Sequence, residues 1–294
     1  MAEQNAAACP PFRGHLKFSA DPTFFVDYSA LAAVSPDGRV GTQPRFGLAE
    51  GQTWPSATST ATNGGYKVIF YSRHGVGHHN VKEAEVGTAA WDAHWSLLDG
   101  DGDGRVWADA ELTEEGVQQA AERSPAAERE ARLDAMLAAL PPDQGVPFPG
   151  AIYSSPLRRC LATTALIYGD VAASTGPVVP PVVKESLRER VTDHTCDRRS
   201  SRTWIAEHYP RFRASPEDLA EEDPLWRAGQ TETPEVHVKR WQAVLQDIWL
   251  SDPSPFIAIV SHSMALAALL ELLGLETFHV RPGTTFALLV KAEA

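Results

Sequence analysis

From about residue 66 onward, short apolar runs alternate with stretches whose apolar positions recur every three or four residues. The runs at 67–71 (KVIFY), 151–155 (AIYSS) and 256–260 (FIAIV) are rich in β-branched and aromatic residues and have the length of buried strands. A further run at 285–292 (TFALLVKA) predicts a last strand. Thr113 is placed to cap a helix over LTEEGVQQAAERS, with Glu114 and Glu115 in its first turn. A second helix is expected over 126–139 after Pro125. PLRRCLATTALIYG predicts another, with Pro156 at its first position and Gly169 at its end. Pro234 opens a long amphipathic pattern through Val236, Trp241, Val244, Leu245, Ile248 and Trp249, and SMALAALLELLG follows the strand at 256–260. The proline-broken PVVPPVV reads as an edge strand or a loop. Strands alternating with helices imply a three-layer α/β/α sandwich around a mostly parallel sheet, covering residues 66–294. Residues 1–65 are rich in Gly, Pro, Ser and Thr, and read as an irregular arm packed on that domain, with a short helix near Trp54.

Charge narrows the partners. Thirty-eight acidic against 26 basic side chains give a net charge of −12 over 294 residues, which argues against nucleic acid or an anionic membrane surface. An anionic small molecule would need a local cationic cluster within this acidic chain. Three widely spaced cysteines (Cys9, Cys160, Cys196) without a CxxC point to free thiols in a reducing compartment. The opening MAEQNAAACPPFRG lacks a basic start and apolar core, and no run approaches the ~20 apolar residues of a membrane span. A cytoplasmic location is therefore expected. Nothing in the pattern specifies an oligomeric state.

Ligands of open α/β sheets bind beyond the carboxyl ends of the strands. Three predicted strands end in chemically loaded sequence: YSRHG, SSPLRR and VSHS. Two histidines and two or three arginines would meet on one rim, where planar guanidinium groups and helix N-termini suit an oxyanion.

Taken in order, RHG followed by Asn80, then LTEEGVQQA, SSPLRRCLAT, ESLRER and VSHS, the chain from about residue 67 resembles the histidine phosphatase superfamily, the phosphoglycerate mutase-like fold. The resemblance implies that His74 is a nucleophile forming a phosphohistidine, with Arg73 and Arg159 gripping the phosphoryl group. It implies that His262 binds phosphoryl oxygens and, charged, stabilises the transition state. Glu189 is implied as the proton donor to the leaving oxygen, and Asn80 as a further phosphate contact. The chemistry suits these residue types. A neutral imidazole attacks phosphorus and leaves again, splitting hydrolysis into two easier steps. Guanidinium and imidazolium groups supply positioning and charge neutralisation without a metal or other cofactor. A carboxylic acid at the leaving alkoxide is worth ~10²–10⁴-fold.

The sequence also departs from the family pattern. Ser263 and Met264 stand where glycines are usual, so Ser263 narrows the pocket floor or adds a hydroxyl contact. Ala162 replaces a common glutamine. The Tyr-Gly pair of glycolytic mutases is missing after Glu189, which favours a phosphatase, and CDRRS resembles the fungal phosphomutase-like branch. The basic stretch RERVTDHTCDRRSSR, with Arg190 and Arg198, reads either as a solvated loop or as an entry patch for a second anionic group. His78, His79, His194 and Cys196 lack zinc-ligand spacing, and His79 is taken as a substrate contact rather than a metal ligand. DGDGDGRVWADAE resembles a calcium loop, but Ala110 occupies the twelfth position, so an acidic turn is expected. Trp91 and Trp95, four apart, would wall the pocket for an apolar substrate. The expected activity is hydrolysis of a small phosphate monoester. A phosphomutase, a recruited lyase or dehydratase pocket and a non-catalytic phospho-ligand binder are the alternatives.

Overall fold

The computed structural model describes residues 14–62, 64–121, 146–169 and 179–294. The helix expected at 126–139 lies outside them. Among the described residues eight strands form: β1 Lys17–Asp21, β2 Arg39–Val40, β3 Tyr66–Arg73, β4 Ala151–Ser154, β5 Val182–Val183, β6 Phe256–Ser261, β7 His279–Val280 and β8 Thr285–Glu293. The main sheet has the order β1-β8-β3-β6-β4-β5. The pairs β3/β6, β6/β4 and β4/β5 are parallel, whereas β8 runs antiparallel to both β3 and β1. β5 is the proline-flanked edge.

Both faces of the sheet are covered, and this explains the unbroken apolar strands. Phe70 and Tyr71 are neighbours on β3 and so point to opposite faces. Phe70 packs on Trp54 of the helix Trp54–Thr62, and Tyr71 packs on Trp241 of the helix Pro234–Ser251. On the Trp241 side that helix packs against the helix Ser263–Leu272. The helices Glu114–Ala121 and Arg158–Tyr168 also pack together. Thr113 Oγ1 accepts from Gly116 N at 3.1 Å and caps the first of them, as its sequence predicts.

Two expectations need correction. The segment before residue 66 is not irregular: β1 extends the sheet along β8, and a helix spans Tyr28–Val34. Tyr28 is buried against Phe278 and Phe286 and donates its hydroxyl to Ala287 O, so the core continues across residue 65. Pro156 does not open its helix, which starts at Arg158 with Leu157 in extended N-cap conformation. The carboxylate of Asp109 accepts from Arg158 N at 2.9 Å, so a side chain from a distant loop supplies the cap.

Candidate active site

Strand register brings the two histidines together. β3 and β6 are parallel with Arg73 opposite Ser261, so the next residues, His74 and His262, leave the sheet side by side. Their ring centroids lie 5.0 Å apart, edge to face. β4 ends one place over, and the helix after it delivers Arg159 to the same rim.

The hydrogen bonds of the two imidazoles differ. Nδ1 of His74 lies 2.7 Å from Gly75 O and donates to it, which leaves the Nε2 lone pair bare. Burial, with Arg159 and Arg73 nearby, holds His74 far below the usual histidine range, so it is neutral at neutral pH. His262 Nδ1 accepts from Arg159 Nε at 3.3 Å, so its proton sits on Nε2, 2.8 Å from Ser155 Oγ. Burial and Arg159 likewise keep His262 neutral. The charged form expected from the resemblance is therefore not the resting form: both nitrogens have partners, and a guanidinium faces Nδ1. Tyr71 Oη donates to His262 O at 2.7 Å and anchors the backbone there.

Arg159 is 1% exposed, and its fork is held by Cys196 O at 2.7 Å and Asp197 Oδ1 at 3.4 Å. Arg73 donates Nη1 to Val280 O at 2.8 Å, while its buried Nε has no partner. Arg158 turns outward to Glu111, Ser200 and the ring of Trp204. Glu189 sits at the start of the helix after His262. Its carboxylate accepts from Ala265 N at 2.9 Å, Arg190 N at 3.0 Å, Met264 N at 3.2 Å and Ser263 Oγ at 3.4 Å. Burial and the neighbouring Asp197 push its pKa up, and the backbone N–H donors offset part of that rise. The serine that departs from the family pattern thus adds a hydroxyl donor to the Glu189 carboxylate.

Other predicted contacts fall at varied distances from this cluster. His79 is buried with its ring 5.7 Å from that of His74. Asn80 Oδ1 accepts from Gly77 N at 3.1 Å and closes the first turn of the helix His78–Val86. Arg190 keeps a buried, unpartnered Nε. Arg198 is turned to Asp99 at 2.9 Å and lies over Trp226. The basic segment is therefore not one patch. Arg188 is held by Glu185 and Asp223, and Arg199 by Glu185 and four backbone carbonyls, so both arginines are built into the fold.

Trp91 and Trp95 do not wall the site as a pair. Trp91 is buried with Trp107, Ala110 and Cys196, and Trp95 lies under Lys82 Nζ at 3.9 Å. Asp101 spends its carboxylate on Asp103 N, Arg105 N and Arg105 Nε, which makes the acidic stretch a self-closed turn. Among the described residues no cluster of three His, Cys, Asp or Glu side chains is placed to hold a metal ion. Sequence reading passed over Asp109, Asp197 and Ser155. Asp109, in a left-handed conformation (φ 43°), joins the start of the Arg159 helix to Ser200 N and Oγ. A lone loop aspartate carries no pattern that announces this.

Residues 98–283 match the model of the histidine phosphatase superfamily (branch 1), a span that begins after His74 and includes Arg159, Glu189 and His262. The chain is similar to a "Probable phosphoglycerate mutase" of Arthroderma benhamiae, 37% identical over 233 residues, 79% of this chain and 66% of that protein. It is also similar to "Phosphomutase-like protein 3" of Candida albicans, 28% identical over 278 residues, 94% of this chain and 81% of that one. A solved structure, a putative alpha-ribazole-5'-P phosphatase from Escherichia coli, covers 75% of this chain and 93% of its own at 17% identity, with a TM-score of 0.42. Because the family model spans more than half of its length, the chain belongs to the histidine phosphatase superfamily, branch 1.

Proposed function

We propose that this protein hydrolyses a small-molecule phosphate monoester through a phosphohistidine on His74, with no metal required. One observation carries the reading: a neutral, buried imidazole whose Nδ1–H is committed to Gly75 O, so that its bare Nε2 is the reactive nitrogen beside Arg73, Arg159 and His262. In the first step His74 Nε2 forms the bond to phosphorus while the ester oxygen leaves and takes a proton from Glu189. In the second, water attacks the phosphohistidine and gives its proton to Glu189, which releases inorganic phosphate and restores both groups. Burial and Asp197 favour the protonated Glu189 that the first step needs. Arg73 and Arg159 neutralise the oxyanion, and Ser155 and Arg159 keep His262 in one tautomer.

Quenching the enzyme in alkali after mixing with a ³²P-labelled monoester tests this reading. Label that is base-stable, acid-labile and lost in His74→Ala is expected, and label that survives in His74→Ala would rule His74 out. Glu189→Gln is expected to slow alkyl esters far more than aryl esters, and equal loss on both removes Glu189 from the acid role. A second reading, phosphoryl transfer between hydroxyl groups, is favoured by the similarity to a probable phosphoglycerate mutase and a phosphomutase-like protein of two fungi. Phosphate release measured against transfer to an added acceptor alcohol separates the two.

A further inference from the structure

The site holds a third imidazole whose chemistry the reaction above does not use. His79 is 8% exposed, and its ring lies 5.7 Å from that of His74. His74 and His262 have their protons assigned by protein partners, Gly75 O in one case and Arg159 with Ser155 in the other. His79 has no such assignment. Its Nδ1 is buried with no partner, and no hydrogen bond to Nε2 is made by the described residues. A buried imidazole nitrogen without a partner costs stability.

What seats the ring is Gly77. Its φ of −100° is open to any residue, so the backbone does not call for glycine there. Space does. A Cβ at Gly77 would lie 2.7 Å from His79 Nδ1 and 2.8 Å from Cε1, closer than van der Waals contact allows. Asn80 in turn holds Gly77 N, so Gly77 and Asn80 form a fixed bed for the imidazole. Wedging the Nδ1–Cε1 edge against Gly77 leaves Nε2 as the nitrogen open to a ligand. The ring lies beside that of His74, and burial, with Arg159, His74 and Arg73 adding to it, disfavours a charge there.

We propose that His79, seated on Gly77, presents Nε2–H as a further donor to an oxygen of the bound phosphoryl group. The inference rests on the phosphoryl-transfer reading and adds a residue to it. The glycine two residues before the histidine then has a functional reason: it sets the depth of the donor.

Vanadate and inorganic phosphate, titrated calorimetrically into the full chain, test this without relying on turnover. The variants are His79→Leu, which fills the space without a donor, His79→Gln, which keeps an N–H, and Gly77→Ala, which displaces an unaltered His79. Loss of a hydrogen bond to a charged group predicts ~10–100-fold weaker vanadate binding in His79→Leu. Most of that affinity should return in His79→Gln, and Gly77→Ala should weaken binding in the same direction. Thermal midpoints recorded in parallel identify any variant that fails to fold, and Gly77→Ala decides the matter should His79→Leu do so. Wild-type affinity in His79→Leu, or in a folded Gly77→Ala, overturns the role of His79 and leaves the nucleophile assignment intact. An unaltered protein that binds neither oxyanion overturns both.

Discussion

Arg159 donates its Nε–H to Nδ1 of His262 across 3.3 Å, and neither group reaches solvent. The same guanidinium is fixed by Cys196 O and Asp197 Oδ1, so one planar fork locks the tautomer of a histidine and the segment 196–197 together. A lysine at this position offers a point charge and cannot meet all three acceptors. Arg159→Lys is expected to lower kcat/KM by ~10²–10³-fold, the usual cost of losing one preorganised donor. Steady-state assays on an aryl phosphate check it, and near-normal turnover would show that the planar fork is dispensable.

The loop after His74 rests directly on the first turn of the helix Glu114–Ala121. A Cβ on Gly116 would overlap Val76 O, and one on Gly75 would overlap Gly116 O, backbone against backbone. Neither glycine has a positive φ, so close approach alone is the reason for both. Gly116→Ala is expected to destabilise the fold by ~1–3 kcal/mol. It should also lower kcat, because the displaced loop carries Gly75 O, the acceptor that orients His74. Urea denaturation with parallel assays measures the two effects, and an alanine tolerated without change in either would contradict the contact.

The buried strands were legible because parallel strands covered on both faces leave unbroken apolar runs, as in FIAIV. The meeting of His74, Arg159 and His262 followed from the rule that strand carboxyl ends share a rim. Less was legible where a residue's role depends on a partner far along the chain. The stretch with Arg188 and Arg199 reads as a solvated loop or an entry patch, since nothing in RERVTDHTCDRRSSR reveals that Asp223 and Glu185 bury these two arginines. Glu189 as a cap for the helix Ser263–Leu272 was equally hidden, 75 residues from Met264. β1 was lost among Gly and Pro because five residues on a sheet edge give too short an alternation to see.

Arg188 has a fully buried side chain, and Asp223 meets it with two hydrogen bonds, at 2.7 and 2.9 Å. Removing one partner of a buried ion pair leaves an uncompensated charge and typically costs ~3–5 kcal/mol. Asp223→Ala is expected to fall in that range, all the more because Asp223 also accepts from Arg199 N. Urea unfolding of the variant reads this out. A loss below ~1 kcal/mol, the size of an exposed pair, would mean that water reaches Arg188.

Acid should weaken this protein earlier than carboxylate titration alone would. His237 is 2% exposed, its Nε2 has no partner, and burial with Arg240 nearby pushes its pKa down from 6.5 to about 3. Between those two pH values the unfolded chain binds a proton that the folded one refuses. Stability contributed by this group is therefore complete above about pH 6.5 and declines as pH falls toward 3. His74, His79 and His262 are lowered in the same sense, so four imidazoles act together. The ion-paired Asp223 and Glu232 are also lowered, from 3.8 and 4.5, and so contribute their losses only at more acid pH. Urea midpoints should fall between pH 7 and 5.5, because the four lowered imidazoles outnumber the two buried carboxylates raised by burial, Glu189 and Asp109, which act in the opposite sense, and His237→Gln should shallow that fall. Midpoints that stay flat over this window would mean that the folded protein takes up protons as readily as the unfolded chain, which contradicts four imidazoles held neutral by burial.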